Sequence, residues 1–164
     1  MHPIISSIRV PATGVSRFLD QLLRPLFDCV ARKTTFINSI NLIRKLESYR
    51  DSDYLKPTTQ FITFDVTDLY TMIPRGGALL ALERFLSKHS EQCRIQGMTI
   101  DTIMKMARLV LDTNCFVFDR KIYRQVRGGA MGSAFTMTLA NIYMLEWEKD
   151  LVEFQHSLNE IYGR

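Results

Sequence analysis

The sequence predicts an α+β (mixed α/β) domain in which several amphipathic helices accompany a small sheet. Apolar residues recur every three or four positions over several long stretches, which is typical of amphipathic helices. Short β-branched or aromatic runs stand between them, which is typical of strands. The chain has 164 residues, of which 46% are hydrophobic and 23% charged. This composition predicts one globular domain with a sizeable core.

The first part of the chain is predicted to contain one strand and two helices. The opening run IISSIRV is β-branched and indicates a short strand. Residues 13–33 carry an apolar stripe that predicts a helix, broken or kinked near Pro25. A second helix is expected over residues 36–49, and the polar stretch 48–60 is expected to be a loop.

The middle of the chain is predicted to add one strand and two helices. Residues 61–66, FITFDV, are typical of a strand that is buried on both faces. Pro74 stands where a proline is tolerated at the start of a helix, and several leucines follow it. Another helix is expected after Thr99, with Asp101 in its first turn.

The last part is predicted to be a hairpin, a loop and one long helix. Residues 115–126, CFVFDRKIYRQV, indicate two short strands that are joined at residues 119–121. The glycine-rich loop GGAMGS follows, and a single helix is expected from Ala134 to about His156. This order of helices and strands favours the mixed class.

Positive charge is concentrated in two places. The net charge is +4, and residues 1–50 carry eight Lys or Arg against three Asp or Glu, which gives 8 − 3 = +5. The second concentration, which we call the basic cluster, comprises Arg120, Lys121, Arg124 and Arg127. Either group could bind nucleic-acid phosphates, and each is equally consistent with a solvated helix face or a charged hairpin.

The few cysteines and histidines restrict the class of protein. Three cysteines and three histidines are widely spaced, which argues against a structural zinc site and a secreted disulfide framework. We therefore expect an intracellular, reducing compartment. The longest uncharged run, residues 128–145, contains glycine, serine, threonine and asparagine, so we expect no membrane partner.

Asp65 stands at the end of the predicted buried strand. A carboxylate there is costly unless its charge is compensated, and a bound Mg²⁺ ion is one way to compensate it. The alternative is an aspartate that caps or turns the chain where the strand ends. Asp68, three residues later, fits this turn role better than a metal role.

Three blocks of the sequence resemble reverse transcriptases of Penelope-like retroelements. FDVTDLYTMIP, residues 64–74, is similar to the family's first catalytic motif, FDV-x-x-LYT-x-IP. GGAMGSAFTMTLANIYMLEWE, residues 128–148, is similar to its substrate-positioning motif. HPIISSIRVPATGVSRFLDQLLRPL, residues 2–26, is similar to its fingers segment. The blocks follow the order of the family and cover nearly the whole chain.

The resemblance implies a fold and an activity. The fold is a partial right-hand polymerase, one incomplete domain with a fingers-like segment at 1–55 and a palm-like segment at 56–164. The activity is that of an RNA-directed DNA polymerase, a nucleotidyltransferase. Such enzymes extend a DNA primer on an RNA template with deoxynucleoside triphosphates and two Mg²⁺ ions. In a retroelement this activity would be nuclear.

The resemblance also implies roles for particular residues. Asp65 corresponds to the catalytic, metal-binding aspartate, and the carbonyl of Val66 to a further metal ligand. Tyr70 corresponds to the aromatic residue that stacks under the sugar and excludes a ribose 2′-hydroxyl. Met131 and Gly132 correspond to the nucleotide pocket and template contact. Without the motifs, Tyr70 would indicate an ordinary buried tyrosine.

The chain departs from the family pattern in three places. His2 stands where the family usually has a triphosphate-binding arginine, and Ala134 and Met137 replace two prolines. The family's second metal-binding motif, an aromatic residue before two adjacent aspartates, does not occur in these 164 residues. Because two-metal catalysis needs several carboxylates, we expect the 164 residues alone to be inactive.

Two alternatives to a polymerase remain open at this point. One is a non-catalytic remnant that binds RNA or DNA through the basic cluster and the positively charged first 50 residues. The other is a non-functional gene fragment. If the polymerase interpretation is right, we expect the missing aspartate motif to be encoded shortly after Arg164.

Overall fold

The computed structural model describes residues 12–130 and 132–164, and at 116–118 it describes the backbone alone. The predicted opening strand, His2 and Met131 lie outside the described residues. The helices are α1 (Thr13–Ala31), α2 (Ser39–Asp51), α3 (Leu69–Met72), α4 (Arg75–His89), α5 (Ile100–Asp112), α6 (Ala134–Trp147) and α7 (Lys149–Ser157). The strands are β1 (Arg94–Ile95), β2 (Met98–Thr99), β3 (Cys115–Phe118) and β4 (Lys121–Arg124). Within the described ranges, no helix is long and apolar enough to cross a membrane.

Four helices, α1, α4, α5 and α6, form the core, and each packs against two of the others. Their buried faces arise from apolar residues at helical spacing, such as Leu19 and Leu23 in α1. Leu82, Ile103 and Phe135 meet them from the other three helices. Helices with small antiparallel sheets confirm the predicted mixed class, and described residues from both predicted segments, 1–55 and 56–164, contribute to this one core.

The described residues form two small antiparallel sheets, β1 with β2 and β3 with β4. The pairing of β3 with β4 begins at Cys115 opposite Arg124. Asp119 and Arg120 connect the two strands, and both have positive φ, 47° and 57°. Positive φ at both positions is typical of a two-residue hairpin turn. The predicted hairpin is therefore confirmed, and its turn consists of these two residues.

The predicted buried strand at residues 61–66 is wrong. This segment has no regular secondary structure, and Phe61 and Ile62 are 71% and 80% exposed. A strand needs a neighbouring backbone to complete its hydrogen bonds, and none of the described strands pairs with this segment. The ring of Phe64 contacts Trp147 edge-on, with 6.5 Å between centroids.

Of the break or kink predicted near Pro25, the break does not occur, because α1 is continuous from Thr13 to Ala31. Pro25 and Gln21 are exposed, so the Gln21 carbonyl can bind water. The predicted long C-terminal helix is divided into α6 and α7 at Glu148. The buried carboxylate of Glu148 accepts a hydrogen bond from the Tyr162 hydroxyl at 2.6 Å at this division.

Candidate nucleotide site and basic hairpin

The segment FDVTDLYTMIP, residues 64–74, and the glycine-rich loop meet at α3. Tyr70 lies in α3, and its side chain packs partly against the core. Its carbonyl accepts a hydrogen bond from the backbone N–H of Gly129 at 2.9 Å. The carbonyl of Ile73 accepts one from the N–H of Gly128 at 3.0 Å. Two motifs that are more than fifty residues apart in sequence are thus joined directly, backbone to backbone.

This close approach explains why the loop begins with two glycines. Gly128 has φ of +57°, and a Cβ atom there would lie 2.2 Å from the Tyr70 carbonyl oxygen. A Cβ atom on Gly129 would lie 2.5 Å from Oγ1 of Thr136. No real side chain fits at such distances, and only glycine adopts positive φ without strain. The loop therefore approaches α3 closely because Gly128 lacks a side chain, and Gly129 leaves room for Thr136 of α6.

Arg75 fixes the same loop from the start of α4. Its Nε donates to the Gly128 carbonyl at 3.0 Å, and its Nη2 donates to the Gln125 carbonyl at 2.5 Å. Asp112 lies 3.9 Å from its Nη1. Burial lowers the pKa of Arg75, and Asp112 partly offsets this effect, so the guanidinium remains charged. The charged, planar guanidinium thus binds the carbonyl groups at both ends of residues 125–128.

Two polar residues of α1 anchor the start of α6, which follows the loop. The hydroxyl oxygen of Ser16 lies 2.8 Å from that of Ser133. It also accepts a hydrogen bond from the backbone N–H of Phe135 at 3.1 Å. Ser16 therefore satisfies an N–H group that the first turn of a helix leaves without a partner. One turn further, Thr138 donates a hydrogen bond to Asp20. These contacts place the exposed Gly132 at a helix start that α1 supports.

Asp65 and Val66 stand in the exposed segment that precedes α3. The described residues contain no group of three or more His, Cys, Asp or Glu side chains that could hold a metal ion. One carboxylate and one carbonyl do not fit the two-ion Mg²⁺ site that the resemblance implies, so these side chains alone do not complete it. Asp68 has the left-handed φ of 54°, and its carbonyl accepts the Thr71 and Met72 N–H groups. That geometry is the turn role expected for it.

Among the described residues, one cation of the basic cluster has an ion-pair partner and three have none. Arg124 lies at the base of the hairpin and forms an ion pair with Asp112 at 3.2 Å. Arg120, Lys121 and Arg127 are exposed and form no ion pair with any described residue. The Gln125 N–H donates to the Asn114 carbonyl at 2.9 Å at the base of the hairpin, and the ion pair of Arg124 connects this base to Asp112, the last residue of α5. The hairpin therefore presents Arg120 and Lys121, and Arg127 follows it in the chain, all three without an ion-pair partner among the described residues.

The sequence did not identify Arg75 or Ser16 as site residues. Ser16 carried a usable signal, because it stands three and seven residues before Leu19 and Leu23, inside an apolar stripe. A polar residue at such a position needs a buried partner. Arg75 carried no comparable signal, since its partners are carbonyl groups fifty residues away.

The chain matches no family model, no curated protein and no solved structure. Its function is therefore inferred from the motifs and from the contacts between them.

Proposed function

We propose that this chain is part of an RNA-directed DNA polymerase domain of a retroelement. In this proposal, the 164 residues form part of the fingers and most of the palm of a right-hand polymerase. Asp65 and the Val66 carbonyl contribute to a Mg²⁺ site that carboxylates outside the 164 residues complete. Tyr70 selects the deoxyribose, and the loop at 128–133 positions the base pair.

The observation that carries this proposal is the backbone junction between α3 and the glycine loop. Hydrogen bonds from Gly128 to Ile73 and from Gly129 to Tyr70 bring the two motifs to one place. A sugar-selecting residue and a nucleotide-positioning loop must lie together, because they act on the same nucleotide. The junction supports this arrangement, and Arg75 and Ser16 support it from either side.

The proposal is tested by primer extension with a reading frame that includes the coding sequence downstream of Arg164. We expect this longer protein to extend a DNA primer on an RNA template in Mg²⁺. Asp65→Asn should abolish extension, because its carboxylate would bind metal. Asp68→Asn is the matched control and should retain extension, since asparagine tolerates the left-handed turn conformation. Equal activity of the two variants would contradict the proposal.

The 164 residues alone give a second test of the same proposal. They should show no template-directed synthesis in Mg²⁺, because Asp65 has no partner carboxylates. Extension by this chain above the level of its Asp65→Ala variant would show that the two-metal argument is wrong.

A second candidate function is nucleic-acid binding without catalysis. It is favoured by three exposed cations that have no ion-pair partner among the described residues, namely Arg120, Lys121 and Arg127. Neutralising a cation that contacts phosphate should reduce the slope of log affinity against log salt by about 0.7 on single-stranded RNA. Arg120→Gln and Lys121→Gln should each show this reduction. Lys105→Gln, a control on α5 whose lysine is paired with Asp101, should not.

A fluorescently labelled RNA and an anisotropy titration at several salt concentrations measure this slope. Salt-dependent binding together with no extension by the longer protein would favour the binding function over the polymerase. If both hairpin variants keep the slope of the original chain, as the Lys105→Gln control should, the hairpin is excluded as the binding surface.

A further inference from the structure

An exposed apolar segment precedes α3. It consists of residues 60–66, QFITFDV, and we call it the open segment. Phe61, Ile62 and Phe64 are 71%, 80% and 58% exposed, and none of the seven residues belongs to a helix or a strand. Trp147, also exposed, extends this surface, because its ring contacts Phe64 edge-on. Contiguous apolar residues that face water are typical of an interaction surface.

The backbone of the open segment also lacks partners. From Gln60 to Asp65, its N–H and C=O groups form no backbone hydrogen bond with any described residue. The turn before the segment is closed, since the Thr59 N–H donates to the Lys56 carbonyl at 2.9 Å. Most of the segment consists of Phe, Ile, Thr and Val, which strands favour. Free backbone groups beside such side chains are a template for pairing with another strand.

Charge favours a second copy of the open segment as that strand. The segment carries one charge, Asp65, so two copies repel each other only where the two aspartates meet. Parallel pairing in register would place them side by side. Antiparallel pairing about a two-fold axis at Thr63 places Asp65 opposite Phe61 of the second copy. The two carboxylates are then four residues apart along the strands, which is roughly 13 Å.

The same antiparallel register collects apolar side chains on one face of the paired strands. Side chains alternate along a strand, so Ile62, Phe64 and Val66 share a face. Ile62 lies opposite Phe64 of the second copy, and such cross-strand pairs stabilise a sheet. Two paired strands alone are marginal in water and need further packing. Trp147 supplies apolar surface at this face, because it already contacts Phe64.

We propose that two copies of this chain form a dimer in which their open segments pair as antiparallel strands, with Thr63 opposite Thr63. The pairing satisfies backbone groups that otherwise bond only to water, and it removes apolar side chains from solvent. It covers roughly 400 Å² per copy, because a fully buried aromatic side chain accounts for about 150–250 Å². Stable interfaces cover about 800 Å² per partner, so the dimer is weak and reversible, with a dissociation constant in the micromolar range.

Sedimentation velocity at several micromolar concentrations, without metal or nucleic acid, tests the proposal on the 164-residue chain. A reducing buffer excludes disulfides between the exposed cysteines. The chain should shift from monomer to dimer as its concentration rises. Ile62→Lys should weaken association at least about tenfold, because it places a charge on the apolar face. Ile122→Lys, on β4 and 77% exposed, is the matched control and should not.

Circular dichroism verifies that both variants are folded. A chain that stays monomeric at every concentration would overturn the proposal and leave the open segment to a strand of another protein. Equal association of the two lysine variants would also overturn it. Because no polymerase chemistry is measured, either failure leaves the polymerase proposal as it stands.

A cross-linking variant tests the register in a chain whose own cysteines, Cys29, Cys93 and Cys115, are replaced with serine. Thr63→Cys places two thiols across the two-fold axis, with Cα atoms about 5 Å apart, which suits a disulfide. Gln60→Cys, also exposed, is the control, because its two copies lie roughly 20 Å apart. Under mild oxidation, Thr63→Cys should form covalent dimers at least about tenfold faster. Equal rates would refute the antiparallel pairing.

Discussion

Replacing Gly128 with alanine should detach the glycine loop from α3. The φ of +57° costs alanine about 1 kcal/mol more than glycine. The new Cβ would also lie 2.2 Å from the Tyr70 carbonyl oxygen, so the loop must move. Its two hydrogen bonds, to Tyr70 and Ile73, are worth about 1 kcal/mol each. We expect Gly128→Ala to lower the free energy of unfolding by about 3 kcal/mol.

Urea denaturation measures this loss, and Gly76→Ala is the matched control. Gly76 lies in α4, and a Cβ atom there would meet nothing within 4 Å. Alanine has the higher helix propensity, so Gly76→Ala should leave stability unchanged or raise it by up to about 1 kcal/mol. Similar changes in the two variants would refute the idea that close backbone approach requires glycine at 128.

Three further predictions concern other contacts. Ser16→Ala should lower the free energy of unfolding by about 2 kcal/mol, because the N–H of Phe135 loses its buried acceptor. Asp119→Asn combined with Arg120→Gly should raise stability by about 1 kcal/mol, because Asn-Gly suits a turn with positive φ at both positions. Tyr162 should make stability fall as pH rises above about 10, because its folded pKa is raised above its unfolded value.

Each of these predictions has a distinct control or contrary outcome. Ser157→Ala removes an exposed hydroxyl that donates to the Phe154 carbonyl, and a loss as large as that of Ser16→Ala would contradict the buried anchor. The turn explanation fails if the Asn-Gly hairpin melts no later than the original. Tyr162→Phe should flatten the alkaline decline, whereas Tyr54→Phe, at an exposed position, should not. Thermal melts over a pH series measure both profiles.

The spacing of apolar residues along the chain predicted where several helices lie. The apolar stripe predicted for α1 is buried in part, because Leu19 and Leu22 lie in the core whereas Phe18 and Cys29 are exposed. The strands on either side of Asp119 and Arg120 form the predicted hairpin. These features depend on residues that are close in sequence, so local patterns contain most of the information.

Features that depend on distant partners were not predicted. An apolar run such as residues 61–66 is typical of a strand, but a strand forms only beside another backbone, and none of the described strands supplies one. Glu148, at the division between α6 and α7, contacts Tyr162 and Arg164, which follow it by a whole helix. Arg75 acts on carbonyl groups that only the tertiary fold brings near.

The candidate site was predicted in part. The motifs that contain Tyr70 and Gly128 were singled out from sequence, and the fold joins them by backbone hydrogen bonds. The roles of Asp65, Val66, Met131 and Gly132 in metal and nucleotide binding stay predictions. Met131 lies outside the described residues, and no contact between described residues defines a role for the other three.

The coding sequence that follows the Arg164 codon tests the central claim most directly. A polymerase palm needs further carboxylates near Asp65 to hold two metal ions. Sequencing the transcript beyond this codon should show an aromatic residue followed closely by two adjacent aspartates, in the same frame or after a frameshift. An unrelated downstream sequence with no such pair would contradict the polymerase proposal and favour nucleic-acid binding through the hairpin.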